Sequence, residues 1–362
     1  MRGRRNYPKT LGAGHRAPTG NFELDSKRNP YFAQLEKEEQ ELIDPATGRL
    51  RADLARYVVC PVCDTDNPEL LFDKRGYTFV RCRGCTMVYV NPQVDDELLE
   101  RLYTKSLANE MWVDVLASDA ERHYNVPHHD WLLERMERLQ RGRRLLDLGC
   151  SIGDFLVQVR NRGWDVTGME LGERATTYAR EVHRLTVIQT TLEEARLPGA
   201  GFDAVTMLSV LEHLARPRET LLEVHRILRP GGVLGVIVPN AQSLAVLMLR
   251  EETRTFTGRN HPNYFSLDTL TRLLLQAGFR VAAADTYVSS LQAILNAAQL
   301  RNPYLAEAST ELLPKPVREL IEARREELEA LICGLGMGYR IKLVAQKFDG
   351  SEQRKSLGRP RV

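Results

Sequence analysis

The stretch from Arg143 to Glu170, RRLLDLGCSIGDFLVQVRNRGWDVTGME, constrains this chain more than any other. Leu145-Leu146-Asp147-Leu148 is a short apolar run that predicts a buried strand. A turn of small residues follows, Gly149-Cys150-Ser151-Ile152-Gly153. The spacing then predicts a helix over Asp154–Arg162, with Phe155, Val157 and Val159 among its apolar positions. A second strand, Trp164 to Met169, ends on an acid, Glu170. In a unit of this kind the small turn lets a ligand approach the backbone, and the closing acid can accept hydrogen bonds from both ribose hydroxyls. It reads as a nucleotide cradle, for which two cofactors compete. A dinucleotide requires G-x-G-x-x-G. Here Gly149 and Gly153 have Ser151 between them and Asp147 two residues before the first.

Downstream, Phe202 to Leu208 predicts another strand, followed by Ser209-Val210-Leu211-Glu212-His213-Leu214. A helix is expected from Pro217 to Leu228, a break at Arg229-Pro230-Gly231-Gly232, and a strand from Val233 to Val238. The D-x-G-x-S-x-G turn resembles motif I of the class I S-adenosylmethionine (SAM) methyltransferases. The run F-D-A-V-x-x-L-x-V-L-E-H-L, continued by L-R-P-G-G, resembles the same family. The resemblance implies an α/β fold: a Rossmann-like seven-stranded methyltransferase sheet with helices on both faces. Thr186–Gln189, Phe279–Tyr287 and an antiparallel Tyr339–Phe348 would supply its other strands, with a helix Glu173–Val182. It also implies a SAM-dependent methyltransferase whose cofactor contacts include Asp147, Gly149, Ser151 and Gly153, with Glu170 on the ribose. Cys150, Leu171 and Leu208 flank these positions and join the expected cofactor set. After the third strand, Leu192 would stack on adenine and Glu193 would bond its amine. Leu208-Ser209-Val210-Leu211 stands where DNA amino-methyltransferases carry an N-P-P-Y type motif, which argues against N-methylation of DNA bases.

The cysteines give a second module. Cys60-Pro61-Val62-Cys63 and Cys82-Arg83-Gly84-Cys85 are separated by eighteen residues. That is C-x₂-C-x₁₈-C-x₂-C, the spacing of a four-thiolate structural zinc site. Each knuckle aims two sulfurs at one ion. Leu70-Leu71-Phe72 and Tyr77-Thr78-Phe79-Val80 would be the strands of the intervening hairpin. Four thiolates leave no open coordination position, so this zinc is expected to be structural. Asp64 stands where such ribbons often have glycine. The ribbon running into Val88-Tyr89-Val90-Asn91-Pro92 resembles the N-terminal module of bacterial small-molecule methyltransferases, including sugar C-methyltransferases.

These signals divide the chain into a largely disordered tail with a short helix at Tyr31–Ile43 (1–56), a zinc ribbon (57–92), a helical cap (93–142), the methyltransferase domain (143–348) and a basic tail (349–362). The cap is expected to hold helices at Glu97–Tyr103, capped by Asp95, and near Leu107–Arg122 and His129–Gln140. A segment from 288 to 338 is an insertion with helices at Ser290–Leu300 and Pro316–Ile332, a candidate homodimer face. Gly334, Gly336 and Gly338 would make a flexible approach to the last strand. The formal charge of +2 gives no global field for nucleic acid. No apolar run suggests a membrane span or signal peptide, so a cytoplasmic location is expected.

Methyl transfer by in-line displacement needs an aligned nucleophile and an acceptor for its proton. Two histidines qualify by position. His213 follows the fourth strand, where Glu212 could orient it. His261 lies in Arg259-Asn260-His261-Pro262-Asn263-Tyr264-Phe265-Ser266. H-x-x-Y-F-S resembles a segment of the sugar C-methyltransferases in which the histidine is the base, with Tyr264 nearby. Asn260 stands where those enzymes have glutamate. The expected partner is a small-molecule methyl acceptor taking the group on O or C, such as a sugar or secondary metabolite. Two other classes are open: an RNA methyltransferase gripping RNA with the ribbon, and a non-catalytic SAM-binding scaffold.

Overall fold

The computed structural model describes residues 28–288, 291, 294 and 315–348. The expected disorder over 1–27, most of the expected helix over 290–300 and the basic tail over 349–362 lie outside the described residues. A helix occupies Arg28–Gln40. It stops short of Ile43 because Ile43–Asp44 (β1) turns back to pair with Arg49–Leu50 (β2), closed by Gly48 N on Asp44 O at 2.8 Å. The stretch 28–56, expected to be mostly tail, is therefore structured. It ends in Ala55–Arg56 (β3).

The ribbon is an antiparallel hairpin, Pro68–Lys74 (β4) and Tyr77–Cys82 (β5), extended by Val88–Val90 (β6). Gln93–Val94 (β7) returns to pair with β3. Both knuckles end on a left-handed residue, Asp64 at φ 55° and Thr86 at φ 66°. A side chain there is strained. At Asp64 the side chain has its own use: its carboxylate pairs with Arg218, which also donates to Val62 O at 2.6 Å and Gln276 Oε1 at 3.0 Å. One arginine thus ties the first knuckle to two helices of the larger domain.

Three helices follow, each started by a side-chain cap. Asp95 accepts from Leu98 N ahead of Asp96–Lys105, Ser106 from Asn109 N ahead of Leu107–Leu116, and Ser118 from Glu121 N ahead of Asp119–Leu139. The sequence places one helix end near Arg122 and a new start at His129. Instead the break is at Ser118, and the last helix runs through Pro127. Packing holds it despite the lost backbone donor. Leu132, Leu133 and Met136 are fully buried in one apolar cluster with Leu145, Ala204, Val233 and Val344 of the sheet.

The central sheet starts with Arg144–Leu148 (β8), Asp165–Met169 (β9), Val187–Ile188 (β10), Phe202–Leu208 (β11) and Leu228–Pro239 (β12). Asn263–Tyr264 (β13) leaves it to join the ribbon. Phe279–Tyr287 (β14) and Arg340–Lys347 (β15) complete it. The strand order is β10-β9-β8-β11-β12-β15-β14, with β15 antiparallel to both neighbours. Helices on both faces make β11 and β12 near-continuous buried runs. The Arg229–Gly232 break lies inside β12 as a bulge, since Phe202 pairs with Leu228 and Ala204 with Val233.

Two elements differ from expectation in ways that matter for the site. First, β13 pairs with β6, making the ribbon sheet four-stranded in the order β13-β6-β5-β4. The ribbon is therefore completed by the H-x-x-Y-F-S segment of the larger domain, and Cys60, Cys82 and Tyr89 share one core with Phe265, Leu270 and Leu273. Second, the expected helix over 316–332 is two, Lys315–Ala323 and Arg325–Gly334. The glycines after it are not a flexible approach. Asn240 Nδ2 donates to Gly336 O at 3.0 Å and Gly338 O at 2.9 Å, and Gly338 N donates to Thr286 Oγ1 at 3.1 Å. Asn240 is 2% exposed, so Asn240→Ala leaves buried carbonyls without partners. It is expected to cost about 1–3 kcal/mol, measured as a lower urea midpoint with an unchanged slope.

Candidate active site

A cavity of about 800 Å³ opens at the carboxyl ends of the parallel strands, where ligands bind in such sheets. Its floor is the turn after β8. Gly149 has φ +67°, and a Cβ there would stand 2.5 Å from Val210 Cγ2. Gly153 has φ +83°, and a Cβ would collide with Leu185. Both positions therefore require glycine. The turn's amides are already committed. Gly149 N and Cys150 N donate to Met169 O at 2.8 and 3.0 Å, and Ser151 N donates to Glu170 Oε2 at 3.0 Å. Asp154 occupies the start of the following helix, Asp154–Asn161, paired with Arg122 and His183. A pyrophosphate needs such amides free and the helix start uncharged. This turn offers neither, which favours a cationic, phosphate-free nucleoside over a dinucleotide.

Glu170 ends β9 with each carboxylate oxygen on a backbone amide, Ser151 N and Gly172 N (2.7 Å). Burial pushes its carboxyl up, and the Gly172 and Ser151 amides oppose that. Each oxygen keeps a lone pair for a ribose hydroxyl. Asp147 is 2% exposed and accepts from Thr206 Oγ1 at 2.6 Å. Burial pushes it up to about 7, so a bound ammonium group would return it to the charged form. Leu192 is buried on the wall, and Glu193 beside it accepts from Thr220 Oγ1 at 3.2 Å.

Glu212, His213 and His261 line the same cavity. The two imidazoles meet edge to face with centroids 4.5 Å apart. His213 Nδ1 lies 2.6 Å from Asn260 O and 2.6 Å from Tyr103 Oη, and Tyr103 Oη itself donates to Asn260 O at 2.9 Å. His261 Nδ1 lies 3.2 Å from Thr255 O. A carbonyl only accepts, so both rings carry their proton on Nδ1, which leaves each Nε2 with a lone pair. Burial lowers His213 to about 4 and takes His261 well below its ordinary value, with the neighbouring His213 adding to the latter. Burial pushes Glu212 up to about 7.

Asp147, Gly149, Cys150, Ser151, Glu170, Leu171, Leu192, Glu193 and Leu208 all line the cavity, as do Glu212, His213 and His261. Gly153 and Tyr264 do not. Gly153 shapes the turn from behind, next to the helix it precedes. Tyr264 is 2% exposed in β13, packed on Phe79 and Phe256 with its hydroxyl accepting from Gly258 N at 3.3 Å. It supports the inter-module sheet, with its ring edge-on to His261 at a centroid distance of 6.4 Å. The cavity also holds residues that motif reading passed over. Tyr103 fixes His213 from the helical cap. Arg340, the first residue of β15, donates to Ser209 Oγ. Burial opposes its charge, while Tyr287, Tyr124 and Glu212 hold its pKa up. It reaches the site because an antiparallel strand begins where its parallel neighbours end.

The four ribbon cysteines converge. Cys60 Sγ lies 3.4 Å from Cys85 Sγ, and Cys63 Sγ lies 3.4 Å from Cys82 Sγ. All four sulfurs are within 4.8 Å of one another. Zinc–sulfur bonds of about 2.3 Å give tetrahedral edges of about 3.8 Å, so the donor set fits one tetrahedral ion.

A sheet of this order with one antiparallel strand beside its edge, a turn closed to phosphates and an acid on the second strand are features of the class I SAM-dependent methyltransferases, and part of the chain is similar to that family. Residues 118–284 match the family model described as a methyltransferase domain. A Mycolicibacterium smegmatis protein named a probable S-adenosylmethionine-dependent methyltransferase is 31% identical over 45% of this chain and 62% of its own length. A ubiquinone biosynthesis O-methyltransferase of Pseudomonas aeruginosa is 32% identical over 40% of this chain and 63% of its own. The chain thus spans under two thirds of the length of these relatives. A SAM-dependent methyltransferase structure from Archaeoglobus fulgidus aligns at 21% identity, with TM-score 0.42, over 62% of this chain and 94% of that one.

Proposed function

We propose that this protein transfers the SAM methyl group to an oxygen of a small-molecule acceptor, and that the ribbon holds a structural zinc. The observation that carries the reading is one cavity lined both by the Asp147–Glu170 cradle and by two histidines whose Nδ1 protons are held by backbone carbonyls, leaving each Nε2 a lone pair. SAM supplies an activated methyl group on a sulfonium. The protein's share is positioning and proton removal. Glu170 would hold the ribose, Asp147 the amino-acid end, and Leu192 the adenine face. His213 and His261 are held neutral by burial, so either Nε2 can take a hydroxyl proton. Oxygen is favoured over carbon because Asn260 is a neutral amide and burial keeps both imidazoles weakly basic even with the Glu212 carboxyl within 4.8 Å, too weak to take a proton from carbon. The O-methyltransferase relatives point the same way. Arg340 adds a cationic group on the acceptor wall, suited to an acceptor with an acidic or anionic oxygen.

The test is turnover. Purified protein with SAM and a panel of phenols, catechols and sugar nucleotides should release S-adenosylhomocysteine with an O-methylated product. The double variant His213→Ala, His261→Ala should lower kcat by about 10²–10⁴-fold while SAM affinity by calorimetry stays unchanged. SAM binding with no product on any such acceptor, or an undiminished kcat in the variant, would overturn the reading.

A further inference from the structure

Glu212, His213 and His261 each present a ligating atom within 4.8 Å of the other two. They come from two separate segments, the turn after β11 and the loop before β13, and meet at the cavity wall. Three features go beyond mere proximity. Each imidazole gives its Nδ1 proton to a backbone carbonyl, Asn260 O for His213 and Thr255 O for His261. Metal-binding histidines are oriented in this way, with one nitrogen tied to an acceptor and the other free for the ion. The tie on His213 is doubled, because Tyr103 Oη shares the same carbonyl. Finally, Glu212 is 2% exposed and its Oε2 is buried with no hydrogen-bond partner. A buried carboxylate oxygen without a donor is costly and calls for a positive partner. Arg340 lines the same cavity and its charge acts on Glu212, but Glu212 Oε2 takes no hydrogen bond from it, and the guanidinium donates to Ser209 Oγ.

We propose that Glu212, His213 and His261 form a binding site for one divalent cation of the first transition row, with open coordination positions toward the cavity. Two imidazoles and a carboxylate are the donor set of such ions, and they leave room for exogenous oxygen ligands. With the ion bound, both Nε2 lone pairs are taken, and the ion replaces the imidazole base by lowering the pKa of a ligated acceptor, whose proton leaves to water. The ion's natural ligand from the cavity is the acceptor's oxygen, which places chelating acceptors with adjacent oxygens, such as catechols, ahead of simple alcohols. This choice of acceptor rests on the methyl-transfer reading above; binding of the ion does not.

The test uses Mn²⁺ on the full-length protein with its ribbon zinc in place, because thiolate sites prefer zinc and leave Mn²⁺ to nitrogen and oxygen donors. Titration followed by electron paramagnetic resonance should show one Mn²⁺ bound per chain. Glu212→Gln and His261→Ala should each weaken it by at least about tenfold, with ribbon zinc and SAM affinity retained as the check on folding. An unchanged free Mn²⁺ signal with wild-type protein, joined by flat Ni²⁺ calorimetry, would overturn the site without any variant. So would His261→Ala binding as tightly as wild type. An ion that binds while no acceptor is methylated leaves the site standing and removes the methyl-transfer reading. Turnover by a protein that binds no ion does the reverse.

Discussion

Replacing Cys60 with serine is expected to remove zinc from the protein and, with it, the cooperative fold. Cys60 and Cys82 are fully buried in the core that runs from the ribbon to the helix Leu267–Gln276. A structural zinc contributes an apparent binding energy of about 10–16 kcal/mol, against a net stability of about 5–15 kcal/mol for a folded domain. No redistribution of contacts can offset that loss. Because β13 closes the ribbon sheet, the damage should travel to the site: His261 lies two residues before Asn263, and Asn263 pairs with Tyr89. Metal analysis should show about one zinc per wild-type chain and none in the variant. Thermal melting should drop steeply, and chelator should reproduce both effects. A variant that melts like wild type would remove the zinc reading and the coupling together.

The second large effect is expected at Glu170. Its two carboxylate oxygens accept Ser151 N and Gly172 N and keep further lone pairs for the ribose. Hydrogen bonds to a charged group contribute about 1.5–3 kcal/mol each, so losing two of them in Glu170→Ala should weaken SAM by about a hundredfold or more. Glu170→Gln should fare little better, because an amide turns an N–H toward one of two backbone N–H groups. Calorimetry reads both. Near-wild-type SAM affinity in both variants would rule out the ribose role.

The strand–turn–helix–strand unit around the glycine turn was legible in the sequence because its physics is local. Gly149, Gly153 and Glu170 belong to one strand–turn–helix–strand unit, and the glycines are demanded by their own backbone angles and immediate neighbours. The ribbon was legible for the same reason, since two knuckles and a hairpin fit within one short stretch. Residues that act across the fold were not. Tyr264 looked chemical from its motif, yet the pairing of β13 with β6 buries it between modules. Arg340 and Tyr103 looked ordinary, since only strand order and helix docking carry them to the cavity. The helix through Pro127 was missed because burial of Leu132, Leu133 and Met136 outweighs a local propensity. Asp64, a departure from the usual glycine, became intelligible only with Arg218 beside it.

The strand Asn263–Tyr264 also sets an order of assembly. Its partners on β6 lie about 175 residues earlier in the chain, and contacts of such separation form late. As the chain emerges during synthesis, the cysteine knuckles and the hairpin can close at once, while the outer edge of β6 waits for most of the larger domain to be made. An unpaired edge is a template for aggregation. Truncations ending before residue 263 should therefore be sticky even when they carry the whole ribbon, and a soluble excised ribbon would need this strand grafted back onto it.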